Sequence, residues 1–125
     1  MTDSFAFESE QSWAEQVVKL GELMMSSQRD GDMHAISLHG EMDVANAGDV
    51  EHELLRVEDS DARVILVDLS GLTFMDRTAI GLLRSANTRL RARGDEGRLM
   101  LLRPPEHVHR ALRSAGTDEQ LSFAD

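Results

Sequence analysis

The sequence predicts an α/β fold in which helices pack on a mixed β-sheet. A run of β-branched and apolar residues at 63–68 has the composition of a buried strand. Apolar residues three and four apart between 79 and 90 are typical of an amphipathic helix. The dipeptide Asp30-Gly31 separates two strand-like runs and indicates a hairpin. The predicted element order is therefore ββαβαβα, with a short final strand left open.

The first half of the chain is predicted to hold a hairpin and one helix. Its strands are expected at about 22–28 and 33–39, followed by a loop at 40–43. A helix is expected from about 45 to 57, because its apolar residues share one face. Two residues are candidates for its N-cap: Asp43 and Asn46. The polar start of the chain is expected to be loose, or to include a short helix built on Trp13, Val17, Val18 and Leu20.

The second half is predicted to alternate strands and helices. The strand at 63–68 should lead through a short loop into a helix over about 77–93, which Gly94 ends. A strand is expected at 98–102. A third helix should then follow, with Pro105 at its first position. Residues 121–124 have the composition of a last short strand.

Composition and charge narrow the function. The chain has 125 residues, a length that predicts one domain, and a net charge of −10. It has no cysteine, which excludes disulfides and thiolate chemistry. Residues 1–76 hold 17 acidic and 4 basic side chains, whereas residues 77–125 hold 6 and 9. The acidic half disfavours nucleic acid and suits a partner with a basic surface, although solubility alone explains the same charge equally well. No apolar run approaches the ~20 residues that span a bilayer, and no N-terminal segment has a secretory-signal pattern. Since cysteine is absent, the reducing cytoplasm is the expected location, without membrane insertion.

The sequence predicts neither an enzyme nor a cofactor or metal site. No glycine-rich phosphate loop follows a strand, and no nucleophile-elbow motif occurs. The five histidines are spaced for structural or surface roles rather than for a shared metal. The carboxylates near the loops are expected to act in caps and turns: Glu41, Asp43, Asp68 and Asp76.

The tripeptide Asp76-Arg77-Thr78 at the start of the second helix is the remaining candidate site. A helix N-terminus presents free N–H groups and a partial positive charge, so it stabilises an anion such as a phosphate on a nearby hydroxyl. A plain N-cap formed by Asp76 or Thr78 explains the same residues. Both interpretations stay open from spacing alone.

Three segments give the sequence a resemblance to a known family. Residues 37–43 are similar to a strand that ends in G-E-L-D, and residues 64–72 to a strand with a D-L-S-x-V turn. Residues 74–83 are similar to F-M-D-S-[ST]-G-L-G-x-L. In this order they resemble the STAS domain family, most closely its small bacterial anti-sigma factor antagonists. The resemblance implies a STAS domain at 22–125, preceded by an N-terminal extension at 1–21.

What the resemblance implies is a non-enzymatic switch in transcription regulation. Such proteins bind an anti-sigma factor, usually also a kinase, and so release a sigma factor. The kinase can phosphorylate the hydroxyl that follows the motif aspartate, which separates the complex. The implied partner-binding residues are Glu41, Asp43, Asp76, Arg77 and Thr78.

The chain departs from the family pattern at the phosphorylated position. Arg77 stands where the family usually has the acceptor serine, and Ala79 replaces a glycine. Either Thr78 takes over as acceptor, or phosphorylation does not switch this protein, which is the favoured reading. The alternative function is a STAS adaptor or scaffold subunit of a transporter or a stress-signalling assembly, never phosphorylated. A homodimer stays open.

Overall fold

A six-stranded mixed sheet and three helices make up the fold, as the α/β prediction expects. The computed structural model describes residues 16–94, 98–117 and 120–124. The elements in chain order are β1 (Gln16–Leu20), β2 (Leu23–Asp30), β3 (Met33–Met42), α1 (Val44–Glu58), β4 (Val64–Met75), α2 (Arg77–Arg91), β5 (Arg98–Leu102), α3 (Glu106–Ser114) and β6 (Ser122–Ala124).

The strands lie in the sheet in the same order as in the chain. β1, β2 and β3 pair antiparallel, and β3 to β6 pair parallel. Each parallel crossover connection contains a helix and leads to the adjacent strand, always in the same direction across the sheet. Because such crossovers are right-handed, they place all three helices on one face of the sheet. The buried residues of that face and of the helices form a single core cluster.

The predicted hairpin joins β2 to β3 through a two-residue turn. Asp30 pairs with Met33, which leaves Gly31 and Asp32 as the turn. Gly31 has φ +63°, the conformation that a type II′ turn needs at its first central residue. The hairpin prediction is confirmed.

The predicted short helix before residue 22 is wrong over Gln16–Leu20, which forms the edge strand β1. Leu20 pairs with Leu23 across a tight turn in which Gly21 has φ +66°. The adjacent Val17 and Val18 are β-branched and suit an extended backbone. Trp13 lies outside the described residues, and the domain boundary at residue 22 stays a prediction.

The predicted loops after β3 and β4 are also wrong, because both strands continue to the start of the next helix. β3 reaches Met42 and β4 reaches Met75, with shifts of register between residues 37 and 39 and between 40 and 41. Irregular strand ends of this kind use glycine and resemble loops in sequence. Gly40 has φ +111°, and a Cβ there would lie 2.2 Å from the Glu22 carbonyl oxygen.

The helices follow their predictions closely. Both cap candidates of α1 act together, since Asp43 is the N-cap and Asn46 completes a capping box. α2 starts at the predicted residue and ends at Arg91, two residues early. Pro105 is the N-cap of α3 rather than its first residue, which corrects that prediction by one position. β5 has the predicted bounds, and the final strand is present.

Candidate functional site

Asp76 binds the N-termini of two helices at once. As N-cap of α2, it accepts a hydrogen bond at Oδ1 from the Ala79 N–H (2.9 Å). Its Oδ2 accepts a second one from the N–H of Val44, the first residue of α1 (3.0 Å). The Asp76 N–H donates to the Met42 carbonyl (3.2 Å). Asp76, not Thr78, is therefore the cap, and one carboxylate connects the two helix starts.

A second group of polar contacts holds the end of β3 against the start of α1. The Asp43 carboxylate accepts from the Ala45 N–H (3.0 Å), and the Asn46 Oδ1 accepts from the Asp43 N–H (3.1 Å). The buried Asn46 amide donates to the carbonyls of Glu41 (2.8 Å) and Leu20 (3.3 Å). The carboxylates of Asp43 and Asp76 also offset the partial positive charge of the helix starts. Hydrogen bonds thus fix this end of the sheet, where β3 and β4 lead into α1 and α2, and we refer to it as the edge.

The predicted partner-binding residues divide into two groups. Asp43 and Asp76 are partly buried, and their oxygens are engaged in capping. Glu41, Arg77 and Thr78 have exposed side chains at the same edge. Arg77 and Thr78 are the first two residues of α2, so they project beside the Asp76 cap.

Two apolar residues of this edge are missed by the sequence prediction. Phe74 is 46% exposed and pairs with Glu41 across β3 and β4. Val44 is 72% exposed at the start of α1, one residue from the Asp43 cap. An exposed aromatic ring among charged residues is typical of protein-binding surfaces. Phe74 belongs to the segment that carries the family resemblance, but its exposure depends on the strand register.

An open cavity of about 350 Å³ adjoins this edge, between α2 and the end of α3. We refer to it as the basic groove. Its lining is Arg77, Ile80, Gly81, Arg84, Ser114 and Ala115.

The described ranges contain no group of three acidic or histidine side chains that could hold a metal ion. The Asp68 carboxylate accepts from the Ser70 N–H (2.9 Å), a local contact within β4. The His39 ring lies against Gly71, where a Cβ would approach Nδ1 to 2.1 Å.

Both ring nitrogens of His34 are buried without a hydrogen-bond partner in the described structure. Burial, with Arg29 and Arg56 adding to it, lowers the pKa of His34.

The ends of α1 and α2 opposite the site are joined by an ion pair. Arg89 donates from Nε and Nη2 to the two carboxylate oxygens of Glu58 (2.7 and 2.8 Å). The Glu58 carboxylate raises the pKa of Arg89. Arg93 donates to the Glu58 carbonyl (2.9 Å). The helix pair is thus held at both ends, by Asp76 at one and by Glu58 at the other.

None of the helices in the described ranges is both long and apolar enough to cross a membrane.

The family resemblance is confirmed by a sequence profile. The profile of the STAS domain matches residues 24–125, so the chain belongs to the STAS domain family. No curated protein matches the sequence at a significant level.

Solved structures with this fold include anti-sigma factor antagonists. One is an anti-sigma factor antagonist from Mycobacterium paratuberculosis, with a TM-score of 0.73 and 18% identity over 81% of this chain and 84% of that one. Another is the anti-sigma factor antagonist SpoIIAA in its unphosphorylated form, with a TM-score of 0.64 and 21% identity over 90% and 89%. The murine Solute Carrier 26 family anion transporter Slc26a9 has a TM-score of 0.62 and 16% identity, over 74% of this chain and 15% of that one. At these identities the likeness establishes the fold.

Proposed function

We propose that this protein is a cytoplasmic anti-sigma factor antagonist, which binds an anti-sigma factor and so releases a sigma factor. The observation that carries the binding function is the exposed Phe74 ring beside the two helix starts that Asp76 joins. Val44, Arg77 and Thr78 extend the same surface. A preorganised surface with an aromatic anchor and a charged rim suits recognition of a protein. The STAS domain match and the fold shared with anti-sigma factor antagonists support the kind of partner. The protein acts by binding, without catalysis or a cofactor.

The regulation of this antagonist differs from phosphorylation at the usual position. Arg77 has no hydroxyl, and it places one positive charge where a phosphoserine would bring about two negative charges. We propose that the complex is controlled by the amounts of the two partners rather than by this modification. Thr78 is the hydroxyl through which the alternative would operate.

A capture experiment tests the binding function. The full chain is used to recover partners from a lysate of the source organism, and the affinity of the recovered protein is measured by calorimetry. Phe74→Ala is expected to weaken binding by about tenfold or more, as for an aromatic anchor. Leu55→Ala is the matched control, because Leu55 is 44% exposed on α1 away from the edge. The proposal is wrong if no anti-sigma factor is recovered, or if a transporter component is recovered instead.

A labelling experiment tests the regulation. The recovered kinase and labelled ATP should leave the wild-type chain unmodified, because Arg77 cannot accept phosphate. Arg77→Ser restores an exposed hydroxyl at the first position of α2 and should be labelled. Thr78→Val is the control for the second hydroxyl. Labelling of the wild-type chain that disappears in Thr78→Val would show that Thr78 has taken over as acceptor.

A further inference from the structure

The basic groove is open beside Gly81, because glycine has no side chain to fill the space. Gly81 lies in the second turn of α2, and a Cβ built there meets nothing within 4 Å. A glycine inside a helix costs about 1 kcal/mol relative to alanine. Core packing does not require the glycine, since the space beside it is empty. The residue leaves a depression on α2 into which another chain can approach the helix backbone.

Two arginines flank this depression. Arg77 and Arg84 are seven residues apart and therefore lie on one face of α2, separated by about 10 Å along the axis. Both are exposed, and both line the groove. Among the residues that the structure describes, neither is joined to a carboxylate, whereas Arg89 on the same helix is paired with Glu58. Their guanidinium groups remain available to an outside partner.

The surrounding charge favours one kind of partner. α2 carries four arginines and no acidic residue. Arginine binds carboxylates through two parallel hydrogen bonds, which gives orientation as well as attraction. The floor between the two arginines is Ile80, largely buried, and the bare backbone at Gly81. A ligand that fits has two negative charges about 10 Å apart and a small group between them.

We propose that the basic groove binds an acidic segment of the protein partner, with carboxylates on Arg77 and Arg84 and a small residue over Gly81. The identity of that partner as an anti-sigma factor rests on the proposed function, whereas the chemistry of the segment rests on the groove itself. In this arrangement Arg77 belongs to two adjoining surfaces, the edge with Phe74 and the groove.

A titration tests the groove without the natural partner. The probe is a capped peptide of six glutamates, added to the full-length ¹⁵N-labelled protein and followed by NMR. Shifts are expected in the first two turns of α2 and at Ser114 and Ala115, and they should disappear in about 0.5 M NaCl. A capped peptide of six lysines should not reproduce them. Shifts that spread over the whole surface, or none, would overturn the proposal.

Gly81→Leu is the decisive variant, since its side chain fills the depression. It should abolish the shifts in α2 while the protein stays folded, because leucine is a better helix former than glycine. Gly48→Leu is the matched control: Gly48 lies inside α1, is exposed, and also has nothing within 4 Å of a built Cβ. Equal peptide binding in both variants would overturn the groove assignment. So would concentration-dependent shifts in α2 without peptide, since they would mean that a second copy fills the groove.

The same variants separate this proposal from the proposed function. With the captured partner, Arg84→Glu and Gly81→Leu are each expected to weaken binding by about tenfold, and Gly48→Leu to leave it unchanged. If Phe74→Ala weakens capture but Gly81→Leu and Arg84→Glu do not, the antagonist function stands and the groove proposal fails. If the glutamate peptide binds the groove but no anti-sigma factor is captured, the groove proposal stands and the partner's identity is wrong.

Discussion

The geometry of the candidate site depends on single side chains, and above all on Asp76. Its two oxygens accept from the N–H groups of Ala79 in α2 and Val44 in α1. A carboxylate is suited to this because both oxygens accept hydrogen bonds, whereas an amide offers one acceptor. The sequence shows that a cap is present here. It does not show the second bond, since Val44 lies 32 residues away.

We expect Asp76 substitutions to destabilise the protein in steps. Asp76→Asn should lower the free energy of unfolding by about 1 kcal/mol, because one of the two backbone N–H groups loses its acceptor. Asp76→Ala should lower it by about 2 kcal/mol, since both are lost. Urea denaturation measures these changes. Asp49→Ala, an exposed change on α1, is the control and should cost less than about 0.5 kcal/mol. Equal values for Asp76→Ala and this control would refute the double cap.

His34 makes stability depend on pH near neutrality. Burial of its ring, together with Arg29 and Arg56, lowers the pKa of His34 below 6.5 in the folded state. The unfolded chain therefore takes up a proton first as the pH falls. The stability from neutral His34 is complete above about pH 6.5 and is lost progressively below it.

The measurement is the free energy of unfolding at about pH 7.5 and pH 5.5. Wild type should be less stable at the lower pH, and His34→Phe should lose part of that difference. His52→Gln, on the exposed surface of α1, should keep it. An unchanged pH dependence in His34→Phe would exclude His34 as its source.

At the scale of elements, α1 and α2 behave as one unit because polar contacts tie both of their ends. Asp76 joins the starts of the helices, and the Glu58–Arg89 pair joins their far ends. The Glu58 side chain is only 9% exposed, so its carboxylate depends on Arg89 for compensation. The Glu58–Arg89 pair therefore helps to hold the relative position of the two helices whose N-termini form the site.

We expect Arg89→Ala to lower the free energy of unfolding by about 1–3 kcal/mol, because a largely buried carboxylate loses two charge-assisted hydrogen bonds. Thermal denaturation at two salt concentrations checks this. Arg84→Ala on the same helix is the control and should change stability little, since Arg84 is exposed. A loss in Arg89→Ala no greater than in Arg84→Ala would mean that the pair does not stabilise the helices.

Sequence predicts correctly the elements whose apolar spacing or composition is distinctive by itself. It fails for the elements that are defined by pairing with a strand distant in sequence. α2 and β5 are readable because their apolar spacing and composition are local. β1 is a five-residue edge strand that is largely exposed, so only its pairing with β2 defines it. The last part of β4 contains Ser70, Gly71 and Thr73 and resembles a loop until β3 is placed beside it. The exposure of Phe74 and the groove at Gly81 depend on such long-range contacts.

At the scale of the whole molecule, the uneven charge of the sequence becomes a division between neighbouring helices. α1 carries four acidic residues and one arginine, whereas α2 carries four arginines and no acidic residue. The two helices pack side by side, so an approaching protein meets fields of opposite sign on adjacent faces. Such a pattern orients an encounter more than it strengthens the final complex.

The agreement between chain order and strand order also bears on how the protein is made. Each new strand pairs with the strand that precedes it, so the sheet can grow one edge at a time as the polypeptide leaves the ribosome. β3 adds to the pair already formed by β1 and β2, and each later strand follows a helix that can cover it. The three-residue β6 then pairs with the outer side of β5, which would otherwise be an exposed edge strand. Nascent chains stalled before β6 should therefore aggregate more than the full-length chain, because they expose the outer side of β5.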